Sequence, residues 1–264
     1  MWRRCITGAD LVTAWGAFAL PPDQILWIAT SVGVAALIRA FTGFGFAMLV
    51  VPVFSLILAP KDAVVLSAVL ALILGLVTYR AWWGLFPLAP VLPMMAGAFF
   101  GTAVGVWFLS SLSVLEFQLW IGVLVAGASL ALARFTPGER PASHTVALGT
   151  GVASGLMNGA FAIPGPPVIL YAVATLKDPA QSRAFLMMFF FGSSIVSLVM
   201  FSLAGLVSTR PFQLLWVAIP AMWLGNQLGN AAFHRFAGAA YRPFVVGLCI
   251  LIGLSISTKA LFDL

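Results

Sequence analysis

Charge is scarce in this chain: only 8% of its 264 residues are Asp, Glu, Lys or Arg, against about 25% in soluble domains. Cysteine is scarcer still. Cys5 and Cys249 stand alone, outside any CxxC or Cys/His cluster, so disulfides, structural zinc and thiol redox chemistry have no support. Carboxylates are missing from the interior of every apolar segment. Asp10, Asp23, Asp62, Glu116, Glu139, Asp178 and Asp263 all fall in loops or at segment ends, which leaves no proton relay or sodium site of the carboxylate kind. His144 and His234 also fall in loops. Without a nucleophile and base, a metal-ligand cluster or a carboxylate pair, a membrane-embedded hydrolase or zinc enzyme has no visible active site. No catalytic residue, metal or cofactor is expected.

What the chain has in abundance is apolar surface. Hydrophobic residues make up 62% of it and the mean hydropathy is strongly positive, the composition of an all-α polytopic membrane protein whose surroundings are the lipid bilayer. Basic residues outnumber acidic ones thirteen to seven. They are scattered singly between apolar segments, as the positive-inside bias leaves them, and no nucleic-acid reading survives.

The apolar run from Ile25 to Ala59 is too long for one straight spanning helix. Its roughly 35 residues would extend about 52 Å, against a hydrocarbon core of about 30 Å. Gly43 and Gly45 interrupt it, in the stretch FTGFGFAMLVVP from Phe41 to Pro52. The glycines predict two helices meeting there, the second starting near Phe46. Backbone opened at that depth is tolerated only where protein or a water-filled cavity covers it, which makes the break a candidate site. The alternative is a tight turn outside the membrane.

Residues 1–23 read as an N-terminal segment lying at the interface: Arg3 and Arg4 precede a short apolar stretch that Pro21, Pro22 and Asp23 close. Further apolar segments follow at 63–79, 86–110 and 114–133, with Trp82 and Trp83 placed for the headgroup belt. The polar stretch 134–144 reads as a linker between two halves, 24–133 and 145–264. The second half repeats the first. Its own broken run, Thr145 to Leu176, has Pro164-Gly165-Pro166-Pro167 where the first half has glycines, and Gly45 aligns with Gly165. Each run ends at a Lys-Asp pair, Lys61-Asp62 and Lys177-Asp178. Pro93 to Gly101 answers Pro220 to Gly229, each with GxxxG, and Gly122 answers Gly247.

Charge counting sets the topology. If each broken run is a hairpin returning to its starting side, Arg80, Arg134, Arg140, Lys177, Arg183, Arg235 and Arg242 share one face, opposed by Lys61, Arg210 and Lys259. Counted as a single crossing, each run divides the same charges evenly. The positive-inside rule therefore predicts two inverted repeats, each a broken helix or helical hairpin followed by three spanning helices, with a cytoplasmic linker and the C-terminus outside.

Arg39 is the basic residue placed well inside an apolar segment. It either has a partner or a water-filled cavity, or it snorkels to the interface. The helix leaving the second break is short, about 16 Å from Pro166 to Leu176, so Pro164–Pro167 should lie near the midplane. Helix N-termini at both breaks, Gly45 and Gly165, would present free amides and partial positive charge, a small anion site. Thr42, Gly43, Asn158, Pro164 and Asn226 complete the candidate set. Ser193, Ser194, Ser197, Gln227 and Asn230 are polar at similar depth but read as helix-to-helix hydrogen-bonding residues.

The layout as a whole, with RAFTGFGFAMLVVP in the first half, NGAFAIPGPPVIL in the second and proline followed by GxxxG in each, resembles the TauE/SafE family of sulfite and organosulfonate exporters from about Gly33 to Leu261. Pro164, Pro166 and Pro167 depart from that family's glycine-rich form. The resemblance implies a multi-pass inner-membrane transporter of small sulfur-containing anions, with oligomeric state left open. The rival expectation is a non-transporting scaffold or a lipid-modifying membrane enzyme, in which the breaks would be packing features with a closed apolar core.

Overall fold

The computed structural model describes residues 21–85, 91–134, 143–176 and 178–236. Residues 1–20 of the interfacial segment, most of the linker and the last segment of the second half lie outside the described residues, and Pro22 and Asp23, read as the end of the interfacial segment, instead open the first helix. Among the described residues all regular structure is helical: α1 (Pro22–Thr42), α2 (Phe46–Ser55), α3 (Pro60–Val77), α4 (Leu92–Ser111), α5 (Val114–Arg134), α6 (His144–Phe161), α7 (Gly165–Thr175), α8 (Pro179–Leu203) and α9 (Arg210–Phe236). Four of them, within α1, α3, α4 and α8, are long and apolar enough to cross a membrane.

Helix starts follow local chemistry. Prolines open α1, α3 and α8, where the missing amide hydrogen costs nothing. The Asp178 carboxylate accepts from Ala180 N at 3.1 Å. Ser113 and Glu116 form a capping box at α5: Glu116 accepts from Ser113 N at 2.8 Å and Ser113 Oγ from Glu116 N at 3.3 Å. The two halves of each broken run separate where expected. Gly43 (φ 84°) ends α1 and Gly45 (φ 93°) precedes α2, both in the left-handed region that glycine adopts without strain.

The most extensive contacts join the halves. α1 lies against α9, and α4 against α6. Both pairs run parallel and backbone to backbone: a Cβ on Gly97, Gly101 or Gly105 would strike the carbonyls of Leu148, Val152 or Leu156, and one on Gly225 or Gly229 those of Gly33 or Leu37. Such approach lets dispersion and Cα–H···O contacts hold helices together where lipid supplies no hydrophobic drive. α3 crosses α8 antiparallel. Ser208, just beyond α8, donates to Asp62 in the first turn of α3 at 2.7 Å, whereas Gly75 near the other end of α3 meets Phe191. α3 also touches α9, and α8 touches α4.

One aromatic departs from its expected place. Trp83 is exposed, as a headgroup-belt residue should be, but Trp82 is buried, donates to Gly75 O at 3.2 Å and packs on Phe191. Its N–H finds a carbonyl inside, so it has no need of the interface.

Candidate functional site

The two breaks converge on one cavity of about 40 Å³. Phe44, Gly45, Phe46, Ala47 and Met48 line it from the first break and Ala162, Ile163, Pro164 and Gly165 from the second. A Cβ on Gly165 would lie 3.5 Å from Met48 Sδ, so the starts of α2 and α7 sit side by side. Ala68 and Ala71 of α3, with Phe190 and Ser194 of α8, place the cavity near the middle of both long helices. At one water per roughly 10–15 Å³ on this measure, it holds about three waters or one small ion.

Three polar side chains line this space: Arg39, Asn158 and Ser194. Arg39 comes from the last turn of α1 and is only 2% exposed. That burial excludes the snorkelling alternative. It forms no ion pair among the described residues, and its Nη1 is buried without a hydrogen-bond partner there. Asn158, on the last turn of α6, is fixed from behind. Its Nδ2 donates to Ser193 O at 3.1 Å and to the Ser197 hydroxyl, tying α6 to α8. Since a backbone carbonyl can only accept, these contacts set which end of the amide faces α8. The Ser194 hydroxyl donates to Phe191 O at 2.7 Å.

The backbone contributes unequally. α2 begins without a side-chain cap, and its first intrahelical bond, Leu49 N to Gly45 O at 3.2 Å, leaves the amides of Phe46, Ala47 and Met48 free of helical partners. α7 also begins uncapped, but Pro166 and Pro167 occupy its first turn. They have no N–H, so two of the amides that a helix N-terminus leaves free are missing from that turn. Two matching N-termini, as the repeat suggested, are therefore not present: the donor-rich end is that of α2.

Of the candidate residues, Arg39, Gly45, Asn158, Pro164 and Gly165 line the cavity, and Thr42, Gly43 and Asn226 are not among its lining. Thr42 braces the first break: its hydroxyl oxygen accepts from Phe44 N at 3.1 Å and lies 2.7 Å from Ile38 O. Ser154 does the same at the second, donating to Pro164 O at 2.6 Å. Asn226 is buried in α9, its Oδ1 without a partner among the described residues.

Sequence reasoning missed Arg183. Counted there among the loop charges, it stands in the first turns of α8, half-buried, with its Nη2 donating to Ala40 O and to Asn230 Oδ1. Its stem lies over Gly43, where a Cβ would come 2.8 Å from Arg183 Cγ.

Comparison with known proteins adds three findings. A family model described as sulfite exporter TauE/SafE matches residues 28–256. The chain is similar, at 26% identity over 249 residues, to a protein of Cupriavidus necator described as a probable sulfite/organosulfonate exporter TauE; the match covers 90% of this chain and 95% of that one. No solved structure matches.

Proposed function

The chain belongs to the TauE/SafE sulfite exporter family, a family of multi-pass membrane transporters, and from that premise we propose that it is an inner-membrane carrier exporting a small sulfur-containing oxyanion, sulfite or a short organosulfonate, down the membrane potential. One observation carries this reading: both helix breaks meet at a cavity lined by a buried arginine whose Nη1 has no partner among the described residues. A cation held without a counterion inside a membrane protein is costly, and an oxyanion supplies what it lacks. The free amides and positive end of α2 add donors to the same space. The rival reading, a scaffold or lipid-modifying enzyme, calls for a closed apolar core at this place, whereas Arg39, Asn158 and Ser194 line it.

The packing supports two inverted repeats, 24–133 and 145–264, joined by a cytoplasmic linker. α8 and α9 are joined by a short turn and run in opposite directions. α3 is antiparallel to α8, and α1 is parallel to α9, so α1 and α3 point the same way. That requires α2 to turn back between them, the hairpin that charge counting favours. Equivalent helices α3 and α8 then run antiparallel, as a two-fold axis in the membrane plane demands.

Each negative charge leaving an inside-negative cell gains roughly 2.3 kcal/mol per 100 mV, so export needs no coupling ion. In proteoliposomes, sulfite efflux should carry current that follows the imposed potential; flux silent at every potential overturns the uncoupled carrier. Arg39→Gln should weaken anion binding at least about tenfold in a protein that still folds, the factor that about 1.4 kcal/mol represents. Arg39→Lys should recover part of it, keeping the charge and losing the planar fork. Wild-type affinity in folded Arg39→Gln removes Arg39 from the site.

A further inference from the structure

Arg183 stands on α8 between the cavity residues and the N-terminal end of that helix. On α8 it precedes the cavity residues Phe190 and Ser194 by two to three turns, roughly 10–16 Å at about 1.5 Å per residue, on the side where Asp178 caps the helix. Its guanidinium joins two elements from different halves of the chain. Nη2 donates to the Ala40 carbonyl, next to Arg39 at the end of α1, and to Asn230 Oδ1 on α9 at 3.2 Å. The first break is shaped to admit it, since Gly43 leaves room for the arginine stem that any Cβ would occupy. Arg183 is half-buried where Arg39 is fully buried.

We propose that the Arg183 bridge closes the central cavity on the side where α8 begins, and that an arriving small oxyanion releases it by taking over the guanidinium. Both acceptors seen in the bridge are neutral. A charged oxygen makes a shorter and roughly twice as strong hydrogen bond, so an oxyanion competes well for the same donors. Release frees the start of α8 from α1 and α9, which stay packed on each other through Gly225 and Gly229. The release step rests on the anion-carrier reading; the closure does not.

The test uses the full chain with Cys5→Ser and Cys249→Ser, carrying Ala71→Cys in the cavity lining, in sealed vesicles of known orientation. A membrane-impermeant maleimide is applied from either face. Arg183→Gln should raise the labelling rate at least about tenfold from the face where α8 begins, a loss of about 1.4 kcal/mol of closure, and leave the other face unchanged. Asn230→Leu, which removes an acceptor and keeps the arginine, should act in the same direction. Equal labelling of wild type and both variants, or acceleration from both faces alike, overturns the closure. Sulfite, methanesulfonate and thiosulfate are then added, with binding of each measured by calorimetry. An anion that binds should speed labelling of the Arg183 protein and not of Arg183→Gln; one that binds without speeding it overturns the release. If none binds, the anion-carrier reading fails and the release step with it, while the closure is still decided by the labelling.

Discussion

Ala162 holds a backbone conformation that glycine usually supplies. Its φ is 53°, and it ends α6 in an αL cap, with Ala162 N donating to Asn158 O at 2.7 Å and Ile163 N to Met157 O at 3.4 Å. A left-handed alanine costs roughly 1–2 kcal/mol. Ala162→Gly should therefore raise thermal stability in detergent by up to about 1 kcal/mol, a shift of about 2–4 °C in the unfolding midpoint. A lower midpoint would mean that the buried methyl contributes more packing than its strain removes. This residue also shows why the second break was only partly legible in the sequence. Glycine announces a break, as Gly43 and Gly45 did; alanine is the best helix former and announces nothing. Arg183 was hidden for a different reason. It follows Lys177, Asp178 and Pro179, a cluster that reads as a loop, and nothing local says that α8 begins at Pro179 and carries the arginine inward.

Among the helices, the short ones were readable from their punctuation and the close-packed ones from their spacing. GxxxG at Gly97/Gly101 and Gly225/Gly229 marked α4 and α9 as contact helices, but not their partners. The same spacing at Gly151, Gly155 and Gly159 lay in plain view and names the partner of α4, because two such stripes fit face to face. Two glycines of α6 separate packing from helix propensity. A Cβ on Gly155 would meet the backbone of Ala98, whereas one on Gly149 would have nothing within 4 Å. Gly155→Ala should cost about 1–3 kcal/mol as the helices are forced apart. Gly149→Ala should be neutral or stabilising by up to about 1 kcal/mol. Thermal unfolding of the two variants side by side checks this, and equal effects would mean that α4 and α6 are not in backbone contact.

At the scale of the molecule, the hairpin reading of each broken run fixes which loops share a face. Thiols introduced singly by Ser143→Cys and Thr209→Cys, in a chain without native cysteines, should label from opposite faces of sealed vesicles, Ser143→Cys from the cytoplasmic one. Labelling from the same face would mean that the second broken run crosses once, and the inverted arrangement would fall. The sequence argues this topology by counting charges; the antiparallel course of α3 and α8 and the parallel course of α1 and α9 support the same reading from packing, and the labelling is what tests it. Sequence symmetry also suggested more equality than the chain possesses. Pro166 and Pro167 remove two amide donors from the first turn of α7 while the first turn of α2 keeps all of its own, so the two breaks are not equivalent. On the carrier reading proposed above, the two halves would offer a ligand unequal grips, and currents at equal and opposite driving force are expected to differ in size, with a direction built into two prolines.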